Sequence, residues 1–141
     1  MTISVKRVYE APAAGDGVRV LVDRLWPRGL TKEKAAVKYW LRDLAPSTEL
    51  RQWFHANPDA WAQFRRRYMK ELAAPEASAA VDKLYQIAKA HKKITLLYAS
   101  RMQERNNATV LKEHLEGAPK PPSSVGRTAV GVMRIRKAKR Q

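Results

Sequence analysis

Cysteine is absent from the 141-residue sequence, which excludes disulfides, thiolate catalysis and cysteine-held metal. No apolar run approaches the roughly 20 residues needed to span a bilayer. The opening MTISVKRVYE also has no apolar segment of the secretory kind. A cytoplasmic protein with no membrane partner is the expectation. The P-loop, GxGxxG and HExxH patterns are missing as well. The three histidines, His55, His91 and His114, show no ligand spacing. Neither a metal nor a cofactor is expected.

Acid is scarce. Thirteen Asp and Glu stand against 28 Lys and Arg, a formal net charge of +15. Such an excess favours polyanionic partners, nucleic acid or nucleotides among them, although it also serves solubility alone. Residues 117–141 contain Lys120, Arg127, Arg134, Arg136, Lys137, Lys139 and Arg140 and no acid. Nearly half of the excess therefore belongs to this tail rather than to the body of the chain.

Hydrophobic residues make up 45% and charged residues 29%, the balance of a globular domain. Residues 3–9 alternate as a strand does, and APAAGDG at 11–17 is a loop. VRVLVDRLW at 18–26 and KITLLYAS at 93–100 are continuous apolar runs, the pattern of strands buried on both faces. Thr31 is placed to cap a short helix over 31–37, and residues 38–46 suggest a short extended segment. Helices are expected over 47–57, 58–74, 76–91 and 106–116. Trp61, Phe64, Tyr68 and Leu72 form one apolar stripe, and Val81, Leu84, Ile87 and Ala88 another. The order predicts an α/β fold: a small, mostly parallel sheet flanked by helices on both faces. One domain is expected over 1–117, followed at 118–141 by a Pro/Ser linker and a flexible basic tail, whose AVGVMRI could add an edge strand.

Ligands of open α/β sheets bind beyond the carboxyl ends of the strands. That rule puts Asp23, Arg24 and Trp26, with Arg28 on the turn after them, near Tyr98, Ser100 and Arg101 if the two apolar strands are parallel neighbours. Guanidinium groups suit phosphate because they donate two parallel hydrogen bonds. The same charges could instead pair with one another to anchor loops. Arg65 falls near the apolar stripe of its helix and could direct its head at an acid or simply snorkel. Trp53 and Trp61 read as core, whereas Trp26, beside a proline turn, could offer a stacking surface.

VKRVYE, RVLVDRLWPRGL, APSTELRQWFHANPDAWAQFRRRYMKEL and ITLLYAS…NNATVLKEHL, in this order, resemble the YeaO-like family (domain of unknown function 488), over about residues 3–116. The resemblance implies a compact α/β domain and no particular reaction. By matching, it implies functional positions at Lys6, Arg7, Asp23, Arg24, Trp26, Arg28, Tyr98 and Asn106. Where relatives often have Lys-Asp after LLYA and a His before the Asn, this chain has Arg101-Met102 and Arg105-Asn106. An acid and a base are thereby lost, since arginine cannot deprotonate.

Binding of a phosphate-bearing ligand, nucleic acid or nucleotide, at an arginine-rich strand-end site is the expected function. The alternatives are an enzyme acting on such a ligand, with Asp23 as acid or base, and an interaction module whose tail holds polyanions. The sequence does not define an oligomeric state.

Overall fold

The two continuous apolar runs become the centre of the sheet. In the computed structural model, which describes residues 1–117, the chain runs through β1 (Thr2–Arg7), β2 (Val18–Leu21), α1 (Lys32–Ala35), β3 (Tyr39–Trp40), α2 (Thr48–Ala56), α3 (Trp61–Leu72), α4 (Pro75–Ala90), β4 (Lys93–Tyr98) and α5 (Asn107–Gly117). The strands lie in the order β1-β4-β2-β3, and every pairing is parallel. β4 and β2 are therefore interior strands, as their unbroken burial requires. The predicted α/β architecture with its parallel sheet is the one found. The linker and basic tail expected at 118–141 lie outside the described residues.

The faces of the sheet are covered unequally. Val20, Val22, Ile94, Leu96 and Tyr98 join one large core with side chains from α2 to α5. Leu21 and Leu97, which alternate with them, join a small core with Val8 and Ala35, flanked by Trp26, Leu30 and Trp40. Helices thus lie on both faces, but the second face has only the single turn of α1 and the loops around it.

Several boundaries differ from the sequence reading, each for a local reason. β2 stops at Leu21, because Asp23 to Trp26 leave the ladder to bond elsewhere. Only Tyr39 and Trp40 of the 38–46 segment pair as strand before a 3-10 turn at Arg42–Leu44. α3 begins at Trp61 rather than at Pro58, whereas α4 does begin with a proline, Pro75, at its first turn. Ser47 caps α2 by accepting the Leu50 N–H at 3.1 Å, and Thr31 caps α1 through Lys34.

The β1–β2 connection reaches its strand through Gly17. This residue has φ +65° and ψ −141°, and an added Cβ would lie 2.2 Å from the Lys93 carbonyl oxygen. Gly17→Ala is expected to destabilise the protein by about 2 kcal/mol, since such a backbone is open to glycine almost alone. Urea denaturation of the two proteins measures it; an unchanged midpoint would contradict the close approach.

Candidate functional site

The candidate site is built where β2 ends. Val22 still points into the large core, and Asp23 then turns its carboxylate toward the neighbouring strand end. One oxygen accepts the Ala99 N–H at 2.8 Å, just beyond β4, and the other accepts the Asn107 amide at 3.0 Å. The same Asn107 nitrogen donates to the Val22 carbonyl at 3.0 Å, and the Asp23 carbonyl accepts the Trp40 indole N–H at 2.8 Å. Asp23 therefore fastens the ends of β2, β3 and β4 to the start of α5. Burial pushes its carboxyl above the usual 3.8, and the bonds from Asn107 and Ala99 and the nearby Arg51 offset only part of that rise.

Arg24 turns the other way. Its Nη2 donates to the Ala45 carbonyl at 3.3 Å, while its buried Nε has no partner. Beside it opens a shallow groove of about 570 Å3, lined also by Trp40, Arg42, Asp43, Glu76 and Lys83. Behind Arg24 lies fully buried Tyr68, whose hydroxyl donates to the Leu44 carbonyl. Burial, together with the charges of Asp23 and Glu71, holds that phenol well above its ordinary value. Glu71 is committed to Ser47, accepting its N–H at 2.8 Å and its hydroxyl at 2.6 Å. A buried guanidinium nitrogen without an acceptor is costly, and Arg24 is in this respect a partly unsatisfied cation.

The remaining sequence-derived positions divide into separate groups. Arg7 donates from Nε to the Ala99 and Ser100 carbonyls at 3.3 and 3.1 Å and lies over the Tyr9 ring at 4.8 Å. Ser100 accepts the Met102 N–H through its hydroxyl, and Arg101 is exposed on the same loop. Tyr98 is buried, with its hydroxyl 3.5 Å from the Gln103 carbonyl. These residues surround the β1 and β4 ends, apart from the Arg24 groove. Arg28 exposes its side chain, while its carbonyl holds the Tyr9 hydroxyl at 2.9 Å. Asn106 binds the Met102 and Gln103 carbonyls and accepts the Thr109 N–H, serving as the cap of α5.

Trp26 is not a free stacking surface. Its indole donates to the Leu30 carbonyl at 2.7 Å, and its ring meets Trp40 edge-on at 5.4 Å. Trp53 and Trp61 pack against the large core as expected. Arg65 reaches Glu113 at 2.6 Å in an exposed ion pair, a contact that typically contributes under about 1 kcal/mol.

Lys6 belongs to a different centre on the sparsely covered face of the sheet. It donates to both Asp16 oxygens at 3.1 Å, and Arg19, only 4% exposed, donates to Asp16 at 2.7 Å and to the Ala35 carbonyl at 2.9 Å. Thr95 gives its hydroxyl proton to the Asp16 carbonyl at 2.6 Å. The sequence reading missed Asp16, Arg19 and Asn107. Arg19 carried the one available signal, a charge in the middle of an apolar strand.

Among the described residues, no cluster of three or more His, Asp or Glu could hold a metal, and no helix is long and apolar enough to cross a membrane.

A four-stranded parallel sheet with a polar latch and a charged groove at its carboxyl edge defines a small α/β protein. A family model described as the inactive DUF488-N3 subclade matches residues 2–125, and the chain belongs to this YeaO-like DUF488 family. It is 44% identical over 115 residues to "Uncharacterized protein YeaO" of Escherichia coli K12, an alignment covering 82% of this chain and 97% of that protein. It is 41% identical over 115 residues to "Uncharacterized protein Mb3100c" of Mycobacterium bovis and to "Uncharacterized protein Rv3073c" of Mycobacterium tuberculosis H37Rv, covering 82% of this chain and 94% of each. No solved structure matches the chain significantly.

Proposed function

We propose that this protein is a binding module for a phosphate-bearing ligand, a nucleotide or nucleic acid, with Arg24 as the anchoring cation. The observation that carries this reading is Arg24 itself, a cation that lines an open groove and, among the described residues, is joined in no ion pair. A phosphate in the groove would give the Arg24 guanidinium a counter-charge, and the planar fork of arginine suits phosphate oxygens. Arg42 and Lys83 on the same groove add positive charge. The +15 net charge would steer anions toward the molecule, and the basic residues after Gly117 would add salt-sensitive affinity for longer strands.

Binding without turnover is favoured over an enzymatic reading by two features. Both Asp23 oxygens are engaged by Ala99 and Asn107, and the matching subclade is described as inactive.

Calorimetric titration of the full chain with a nucleoside 5′-monophosphate, inorganic phosphate and a short single-stranded oligonucleotide tests the proposal. Arg24→Lys keeps the charge and loses the fork. It is expected to weaken binding about tenfold, the worth of one charge-assisted hydrogen bond, with little change in the thermal midpoint. Binding unaffected by Arg24→Lys, or no binding by the wild type, would overturn it.

A further inference from the structure

The groove beside Arg24 carries charges of both signs. Arg24, Arg42 and Lys83 line it together with Asp43 and Glu76, and among the described residues none of the five is joined in an ion pair. Arg42 comes from the 3-10 turn after β3 and lies over the Trp40 ring at 4.8 Å, while Asp43 follows it on the same turn. Glu76 stands in the first turn of α4, with Lys83 two turns further along. Trp40 gives the groove a fixed apolar wall, held by its bond to the Asp23 carbonyl and by its contact with Trp26.

A uniform polyanion fits this arrangement poorly. A nucleic-acid backbone crossing the groove would bring phosphates toward two exposed carboxylates as well as toward the cations. Inorganic phosphate would leave both carboxylates without a role. What matches is a small ligand with an anionic end and a neutral end rich in hydroxyl donors. A ribose diol is such an end, because one carboxylate can accept both O–H groups, as the acidic residue of dinucleotide-binding folds does. The volume of about 570 Å3 lies within the roughly 300–1,000 Å3 usual for small-ligand sites.

We infer that the groove takes a ribonucleoside 5′-phosphate, its phosphate on Arg24 and its ribose diol on Asp43 or Glu76. The inference rests on the reading that Arg24 anchors a phosphate, and it names the ligand class and the acids that select it. The site then discriminates a ribonucleotide from its deoxy counterparts, and a mononucleotide from a strand. The carboxylate that holds the diol, Asp43 or Glu76, acts as the specificity residue and Arg24 as the affinity residue.

The test is titration of the full chain with three 5′-monophosphates of one base, bearing ribose, 2′-deoxyribose and 2′,3′-dideoxyribose, alongside a single-stranded oligonucleotide. The wild type is expected to bind the ribonucleotide about tenfold more tightly than the dideoxy form, the worth of hydrogen bonds to a charged acceptor. Either Asp43→Asn or Glu76→Gln should abolish that preference, and both positions are exposed, so the fold tolerates the change. Arg24→Lys should weaken all three mononucleotides by a similar factor and preserve the preference. Equal binding of ribo and dideoxy forms, with Arg24 still required, would overturn this inference while leaving the phosphate reading intact. Arg24-dependent binding in which the oligonucleotide is preferred to the mononucleotides would overturn it too. Mononucleotide binding indifferent to Arg24, or no mononucleotide binding, would defeat both.

Discussion

Asp16→Ala is expected to lower the stability of the protein by about 3–5 kcal/mol, the usual result of breaking a buried ion pair from one side. Asp16 is only 7% exposed and accepts from the Ala13 N–H, from Lys6 and from Arg19. Arg19 is 4% exposed, and its Nη2 already lacks a partner. Without the carboxylate it would keep one bond, to the Ala35 carbonyl, and remain a nearly uncompensated charge beneath the sheet. Burial by itself would raise the Asp16 carboxyl, but the bond from Ala13 and those from Lys6 and Arg19 together outweigh it and hold the group below 3.8. The folded state thus binds this proton less readily than the unfolded chain does. The stabilisation is present above the unfolded value near 3.8 and disappears as pH falls through the folded one. Urea denaturation near neutral pH gives the loss directly. The double change Asp16→Ala with Arg19→Met should recover part of it, because an apolar side chain needs no counter-charge. A single-variant loss below about 1 kcal/mol would show that the centre contributes little.

The two centres differ in how far the sequence reveals them, and the difference is physical. β2 and β4 were legible because a strand covered on both faces must be apolar at every position, and Val18–Leu21 and Lys93–Tyr98 nearly are. The α3 stripe was legible because Phe64, Tyr68 and Leu72 recur at helical spacing and all face the core. Arg24 was legible as a strand-end cation, because the carboxyl edge of a parallel sheet is a place the fold defines in advance. What it faces was not, since the groove is made by the turn after β3 and by α4, which are brought to β2 only by tertiary packing. Arg19 shows the limit in the other direction. Strand alternation decides which face it occupies, but its partner comes from a loop conformation set by Gly17, and spacing does not encode that contact. Asn107 was hidden by its neighbour: two asparagines stand together at the start of α5, and the chain alone does not say that Asn106 caps the helix while Asn107 reaches across to Asp23.

That reach makes Asp23→Ala the second large effect, expected at about 2–5 kcal/mol. Two donors, the Ala99 N–H and the Asn107 amide, would each lose an acceptor in a half-buried setting, and each such loss costs about 1–3 kcal/mol. Asn107 would keep its bond to the Val22 carbonyl, so the joint between β2 and α5 weakens without opening completely. Asp23→Asn is the gentler and more informative variant. One oxygen still accepts from Ala99, while the new amide nitrogen opposes the donor of Asn107, so a loss of about 1 kcal/mol is expected. It also removes a titrating group. Because burial holds the Asp23 carboxyl above 3.8, the folded state takes up its proton before the unfolded chain does. The contribution of Asp23 to stability should therefore decline as pH rises from about 3.8 through the raised folded value, opposite in sign to the contribution of Asp16. Denaturation midpoints measured from pH 3 to 7 should show that decline in the difference between the wild type and Asp23→Asn, from which the other titrating groups cancel. An identical pH profile in both proteins would mean that Asp23 ionises as freely as a surface carboxylate, and the latch would then be weaker than its two short bonds imply. Arg24, the anchor of the proposed ligand site, is the next residue along the chain, so the measurement also bears on that proposal. If the latch serves only to hold the strand ends, Asp23→Asn should leave nucleotide affinity near the wild-type value at neutral pH, while Arg24→Lys lowers it. Two adjacent residues would then separate cleanly, one holding the edge of the sheet together and the other presenting it to a ligand.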